Sequence, residues 1–156
     1  MRRKHKARRT QLPDPKYGDF LVAKCINHIM HDGKKSVARK VVYDALEEIR
    51  KSVKGEDPVS VFTSAVNNVG PQVEVKSRRV GGANYQVPRE VRGDRRITLA
   101  FRWLIQASRV KKGKPMAKKF AEEIVLASKN EGAAIKKKLD THRMAEANKA
   151  FAHFAW

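Results

Sequence analysis

The chain has 156 residues and carries 35 Lys and Arg against 16 Asp and Glu, a formal net charge of +19. Such an excess repels itself in a compact fold and becomes useful through counterion release, so a polyanion, nucleic acid first, is the expected partner. No apolar run is long enough to span a bilayer, no signal-peptide core follows the basic start, and the single cysteine, Cys25, excludes an internal disulfide and fits a reducing compartment.

The length predicts one domain over 1–156, able to bury roughly 70% of the surface its unfolded chain exposes. Residues 1–11 hold Arg2, Arg3, Lys4, Lys6, Arg8 and Arg9 and no acid. They cannot form a core and read as a basic arm, disordered until bound. Helices one to three are expected within 12–71. After the Pro13 and Pro15 turn, Asp19 caps a helix through about Asp32, with Val22, Cys25, Ile26 and Ile29 on one face and Gly33 placed to end it. Ser36 caps the next helix, whose Ala38, Val41, Val42, Ala45, Leu46, Ile49 and Val53 keep helical spacing for four turns. Asp57-Pro58 supplies an N-cap and a first-turn proline for a third, with Val59, Phe62, Val66 and Val69 as its stripe and Gly70-Pro71 as its stop.

A β-hairpin arm is predicted over 72–89. Two β-prone runs meet at Gly81-Gly82, which tolerates the positive φ of hairpin turns, and Pro88 must lie at an edge or a strand end. Lys76, Arg78, Arg79 and Arg89 surround Asn84, Tyr85 and Gln86, giving cations for phosphates, amides for base edges or 2′-hydroxyls, and a ring for stacking. The tip itself offers no anchor for a dry core.

Helices four to six are expected over 90–156. Ile97, Phe101, Leu104 and Ile105 mark the buried side of a helix of roughly Asp94 to Arg109. Arg95, Arg102 and Arg109 stand seven apart on another side, drifting about 20° per step, and can track one line of phosphates. Arg92 precedes them, and Lys111, Lys112 and Lys114 form a basic loop ending at Pro115. Met116, Phe120, Ile124 and Ala127 predict a fifth helix. A sixth runs from about Ala133 to His153 and carries Lys136, Lys137, Lys138 and Arg143. The fold class is therefore mainly α: a six-helix, bundle-like body with one protruding β-ribbon.

Catalytic chemistry is not encoded in any recognisable frame. His28 and His31 lie three apart on one helix, but no third ligand or HExxH frame joins them, so no metal is expected. The neighbouring acids Glu47-Glu48 and Glu122-Glu123 point in different directions on their helices and cannot share an acid and base site. Asp32-Gly33-Lys34-Lys35 is a helix-to-helix turn whose cations can hold a phosphate but lacks the spacing of a nucleotide-binding loop. No cofactor, small-molecule substrate or enzyme activity is expected.

Three long motifs occur in one order. The first is Asp19-Phe20-Leu21-Val22-Ala23-Lys24-Cys25-Ile26 followed by Gly33-Lys34-Lys35, Val41-Val42 and Ala45. The second is Ser77-Arg78-Arg79-Val80-Gly81-Gly82-Ala83-Asn84-Tyr85-Gln86-Val87-Pro88, and the third is the run from Asp140 to His153. The chain thereby resembles, end to end, the bacterial type of the small-subunit ribosomal protein seven family. That resemblance implies a six-helix body with a β-ribbon, binding to the 3′ major domain of 16S rRNA that nucleates assembly of the 30S head, and a place near the exit-site tRNA and emerging mRNA. It also implies contacts with ribosomal proteins nine and eleven, the hairpin tip of Gly81, Gly82, Asn84, Tyr85 and Gln86 lying near the tRNA or mRNA. The implied location is the ribosome, cytoplasmic or, for an organellar chain, in the plastid stroma. Whether such a protein also represses its own mRNA is left open. Cys25, Leu139 and Phe154-Ala155 depart from the family's usual residues. From the residues alone, an architectural DNA-binding protein with a basic β-arm stays open beside an rRNA-binding one, although its arm would carry an apolar or proline wedge that this tip lacks.

Overall fold

The computed structural model describes residues 12–53 and 55–154. The basic arm expected over 1–11 and the last turn at Ala155 and Trp156 lie outside the described residues. In chain order the elements are α1 (Phe20–Ile29), α2 (Lys35–Ser52), α3 (Pro58–Val69), β1 (Val73–Val80), β2 (Ala83–Glu90), α4 (Gly93–Val110), α5 (Met116–Ser128), α6 (Ala133–Ala147) and a 3-10 helix (Lys149–Phe154). The architecture is mainly α with one two-stranded ribbon, as the patterning predicts. Among the described residues, no helix is long and apolar enough to cross a membrane.

Two starts follow their cap chemistry. The Asp19 carboxylate accepts from the Val22 N–H at 2.9 Å, and Asp57 accepts from the Ser60 N–H at 3.2 Å with Pro58 at the first helical position. Three boundaries differ from expectation. Helix α1 stops at Ile29, because Asp32 and Gly33 both take positive φ (51° and 72°) to turn the chain. Helix α2 starts at Lys35 with Lys34 as N-cap, which puts Ser36 inside the first turn rather than at the cap. The sixth helix does not continue to His153: the Asn148 amide donates to the Met144 carbonyl at 2.7 Å, ending α6, and the chain tightens into the 3-10 helix.

Apolar stripes from all six helices meet in one core. Val22, Ile26, Val42, Leu46, Ile49, Phe62, Val66, Phe101, Leu104, Phe120 and Ile124 are its bulky members, and Cys25 is a buried part of it. The Phe62 and Phe101 rings stack at 6.0 Å between centroids. Helix α5 touches α2, α3, α4 and α6, so it lies at the centre.

That central helix carries a carboxylate inward. Glu123 is fully buried; its Oε1 accepts from the Ala134 N–H at 3.0 Å, and the Lys111 ammonium lies 2.7 Å from Oε2 as an ion pair without hydrogen-bond geometry. Gly132, at φ 95°, offers no capping side chain to α6, so Glu123 satisfies one of the orphan amides there and meets the positive end of the helix dipole. A Cβ at Gly132 would lie 2.9 Å from Glu123 Oε1, so glycine is required by both conformation and space. The C-terminus of α3 is closed by cations instead. Arg96 donates to the Gly70 and Asn67 carbonyls at 3.2 Å each, and Lys138 to the Asn68 carbonyl at 2.6 Å.

The ribbon pairs Val73 with Glu90, Arg78 with Tyr85 and Val80 with Ala83, and Gly81 and Gly82 supply the turn at φ 56° and 92°. Two supports fix it. At its root the Gln72 N–H donates to His142 Nε2 at 3.2 Å, and β1 packs along α6. Toward the tip, Tyr85 sits 5.2 Å from Phe151 and 5.3 Å from Phe154, while Arg78 Nη1 donates to the Phe154 carbonyl at 2.6 Å. In a 3-10 helix residues three apart eclipse, so Phe151 and Phe154 present parallel rings to one side, where Tyr85 meets them. The expectation of a tip without an apolar anchor is thus corrected: Tyr85 is that anchor.

Replacing Glu123 by Ala should orphan the Ala134 amide and strand Lys111, lowering the unfolding free energy by about 3 kcal/mol, the low end for breaking a buried pair because the lysine can swing toward water. Gly132→Ala should destabilise by a comparable amount. Urea unfolding of both variants checks this; midpoints equal to the parent's would show that the carboxylate carries no structural weight.

Candidate nucleic-acid interface

Folding divides the predicted basic residues into those already engaged and those left open. Arg95 is engaged: its Nε and Nη2 both donate to Glu74 Oε2, at 3.2 and 3.0 Å, while Lys76 approaches Glu74 Oε1 at 3.6 Å. Lys111 is held by Glu123, Lys114 pairs with Glu122, and Arg78 serves the Phe154 carbonyl. Each of these charges is partly cancelled or committed before any ligand arrives, and strand β1 supplied the acid that spacing along α4 could not reveal.

The open set lies on exposed positions of several elements. Lys34 and Lys35 flank the start of α2; Arg79 sits beside the ribbon turn, Arg89 near the other end of β2, and Arg92 at the start of α4. Arg102 and Arg109 stand on α4, Lys112 in the loop after it, and Lys136, Lys137 and Arg143 on α6. Among the described residues, none of these forms an ion pair. Arg2, Arg3, Lys4, Lys6, Arg8 and Arg9 lie outside the described residues. Gly81, Gly82, Asn84 and Gln86 are exposed, so the backbone and amides of the tip remain accessible, but the Tyr85 ring is half-buried against Phe151 and Phe154 and its predicted freedom to stack on a base is reduced.

On α4 the arginines do not stand alone. Arg102 and Arg109, with Ile105 and Gln106 between them, line a cleft of about 400 Å³ whose far side is His28 of α1. The His28 ring rests against the buried Phe101, centroids 5.4 Å apart. Burial, then the charges of Arg102 and Lys24, hold the His28 imidazole below its ordinary pKa, so it is neutral at pH 7. Across His28 a second hollow contains Lys24, but there the cation is paired with Asp94 at 3.2 Å. His31, the other histidine of α1, pairs with Asp32 at 2.9 Å instead of converging with His28. Gln106 carried a sequence signal in its spacing, four after Arg102 and three before Arg109; His28 reaches the site only through the α1 to α4 packing, which no local pattern encodes.

A ribbon of this form on a basic helical body has relatives. The family model described as ribosomal protein S7p/S5e matches residues 1–149. The chain belongs to the ribosomal protein S7p/S5e family. Small ribosomal subunit protein uS7 of Thermotoga neapolitana is 59% identical over 156 residues, covering all of both chains. The proteins of the same name from Salinibacter ruber and Xanthobacter autotrophicus are 58% identical over 146 residues, 94% of this chain and 93% of the relative, and 55% identical over 157 residues, all of both. S7p/S5e is a family of ribosomal structural proteins and not of enzymes, in keeping with the missing catalytic frame.

At the ribbon root, burial first and Lys138 second hold His142 below its ordinary value as well. The unfolded chain therefore takes up these protons first, so stability present at pH 7 should be lost as pH falls through the ordinary histidine range near about 6.5 and below it, with no such loss toward alkaline pH. His142→Gln keeps an oxygen that can accept from the Gln72 N–H but cannot titrate there. Its urea midpoint should fall less than the parent's over that interval; equal falls would remove His142 from the account.

Proposed function

We propose that the chain is a structural constituent of the small ribosomal subunit that binds the 3′ major domain of 16S rRNA and nucleates assembly of the subunit's head. Family membership supports the ribosomal setting, and the observation that carries RNA binding is the set of exposed cations that have no acidic partner among the described residues, Arg102, Arg109, Lys112, Lys136, Lys137 and Arg143 among them. Phosphates would replace the missing carboxylates, releasing counterions, while the exposed amides of Asn84 and Gln86 offer donors and acceptors to base edges or 2′-hydroxyls. In this reading the body grips rRNA and the ribbon reaches toward the exit-site tRNA and the mRNA, with ribosomal proteins nine and eleven as neighbours.

Affinity for a 3′ major domain fragment should fall steeply with salt and exceed that for random duplex DNA on the order of 1000-fold at physiological salt. Equal affinities would overturn the reading. Arg102→Gln and Arg109→Gln should each reduce the slope of log affinity against log salt by about 0.7 to 0.9, whereas Arg95→Gln, its charge already shared with Glu74, should reduce it less.

The role of the ribbon is separable from binding. Replacing Arg79 to Asn84 by Asn-Gly closes a two-residue turn while keeping Tyr85 and Arg78 at their supports. Subunits should incorporate this variant fully yet retain exit-site tRNA less well. Unchanged tRNA retention at full incorporation would show the tip to be dispensable there.

A further inference from the structure

We propose that the cleft between α1 and α4 receives one unpaired nucleotide of the bound RNA, its base against His28 and the Gln106 amide and its flanking phosphates on Arg102 and Arg109. The inference rests on the rRNA-binding reading and adds to it a site for a single base. Several observations converge. The cleft holds about 400 Å³, within the roughly 300 to 1,000 Å³ in which small ligands are bound, and a duplex could not enter it. Its walls combine the three surfaces that recognise unstacked bases: an aromatic ring braced from behind by Phe101, an apolar floor at Ile105, and an amide that both donates and accepts.

The Gln106 amide makes no hydrogen bond among the described residues, although it lines the cleft together with Arg102 and Arg109. Seven residues of helix separate Arg102 from Arg109 by about 10 Å along the axis, a span that lets the two side chains hold the phosphates on either side of one nucleotide. The hollow on the other side of His28 lacks this property. Its Lys24 is paired with Asp94, so of the two hollows it is the Arg102 and Arg109 side whose cations lack an acidic partner among the described residues. A neutral imidazole suits the face of a base; the arginines, permanently charged and forked, suit the phosphates.

The probe is the 3′ major domain fragment of 16S rRNA. His28→Ala and Gln106→Ala, with folding checked by circular dichroism, should each weaken binding by about 5- to 100-fold, the range for loss of one stacked base, without changing the salt slope. Arg102→Gln and Arg109→Gln should change the slope. His28→Phe, which keeps a ring, should recover most of the loss seen with Ala. Chemical probing of the RNA should show one unpaired nucleotide protected by the parent protein and reactive again with Gln106→Ala, other protections persisting. Affinity and protections unmoved by His28→Ala and Gln106→Ala, while the arginine variants still lower the slope, would leave only a backbone track and overturn the nucleotide site while sparing rRNA binding. A parent protein that does not bind the fragment overturns both. Saturation by a free nucleoside monophosphate at micromolar concentration, with RNA affinity unchanged by the same substitutions, would assign the cleft to a free ligand and likewise overturn the proposal.

Discussion

The carboxylate of Glu123 is the contact on which the relative placement of the other parts depends. It sits on the helix packed most extensively against the others, and it ties the loop after α4 through Lys111 to the first turn of α6 through the Ala134 amide. A buried carboxylate is costly to desolvate, so it persists only where its partners are fixed. Its partners here belong to two elements whose relative position the apolar core alone would specify weakly, since of the four residues α6 buries, Ala134, Ile135, Thr141 and Ala145, one alone has a bulky apolar side chain. From α6 the dependence continues outward. His142 fixes the ribbon root, Lys138 closes α3, and the 3-10 helix that follows α6 reaches the ribbon near its tip.

Charge is arranged by the same economy. A chain with +19 must separate its cations or compensate them, and it does both. Glu74 absorbs Arg95 and Lys76, Glu122 absorbs Lys114, and the helix-end carbonyls of α3 absorb Arg96 and Lys138. The cations without an acidic partner among the described residues lie on several elements and include a pair on α4 beside a neutral ring and the Gln106 amide. Compensation elsewhere sharpens that local excess, because an anion near the surface is drawn to where the field is not cancelled.

Helix existence and core identity were legible because amphipathic spacing and cap residues act locally: Asp19 and Asp57 start their helices, and Val22, Cys25, Ile26 and Ile29 face inward as their spacing requires. The ribbon was legible for the same reason, its glycine pair fixing turn and register together. What the local pattern did not carry is tertiary choice. Nothing near Arg95 announces Glu74, nothing near Tyr85 announces Phe151, and nothing near Gly132 announces that a glutamate from the preceding helix will cap it. The end of α6 is less legible because the run to His153 contains no strong breaker: the Asn148 amide turned back on the Met144 carbonyl and the packing of Phe151 and Phe154 on Tyr85 together accompany the tighter 3-10 winding. At the candidate site the charged residues were visible from their heptad spacing, while His28 required the packing of α1 on α4.

The supports of the ribbon have a temporal side. Its own ladder joins residues close in sequence, whereas the bonds that aim it join Gln72 to His142, Asn68 to Lys138 and Arg78 to Phe154, separations of 70, 70 and 76 residues. During synthesis, which proceeds at roughly 5 to 20 residues per second, the hairpin can close seconds before the segment that orients it has been made. A nascent chain therefore possesses an arm before it possesses a direction for it, and acquires that direction only when Phe151 and Phe154 arrive. The protein's most extended element is in this sense assembled first and pointed last.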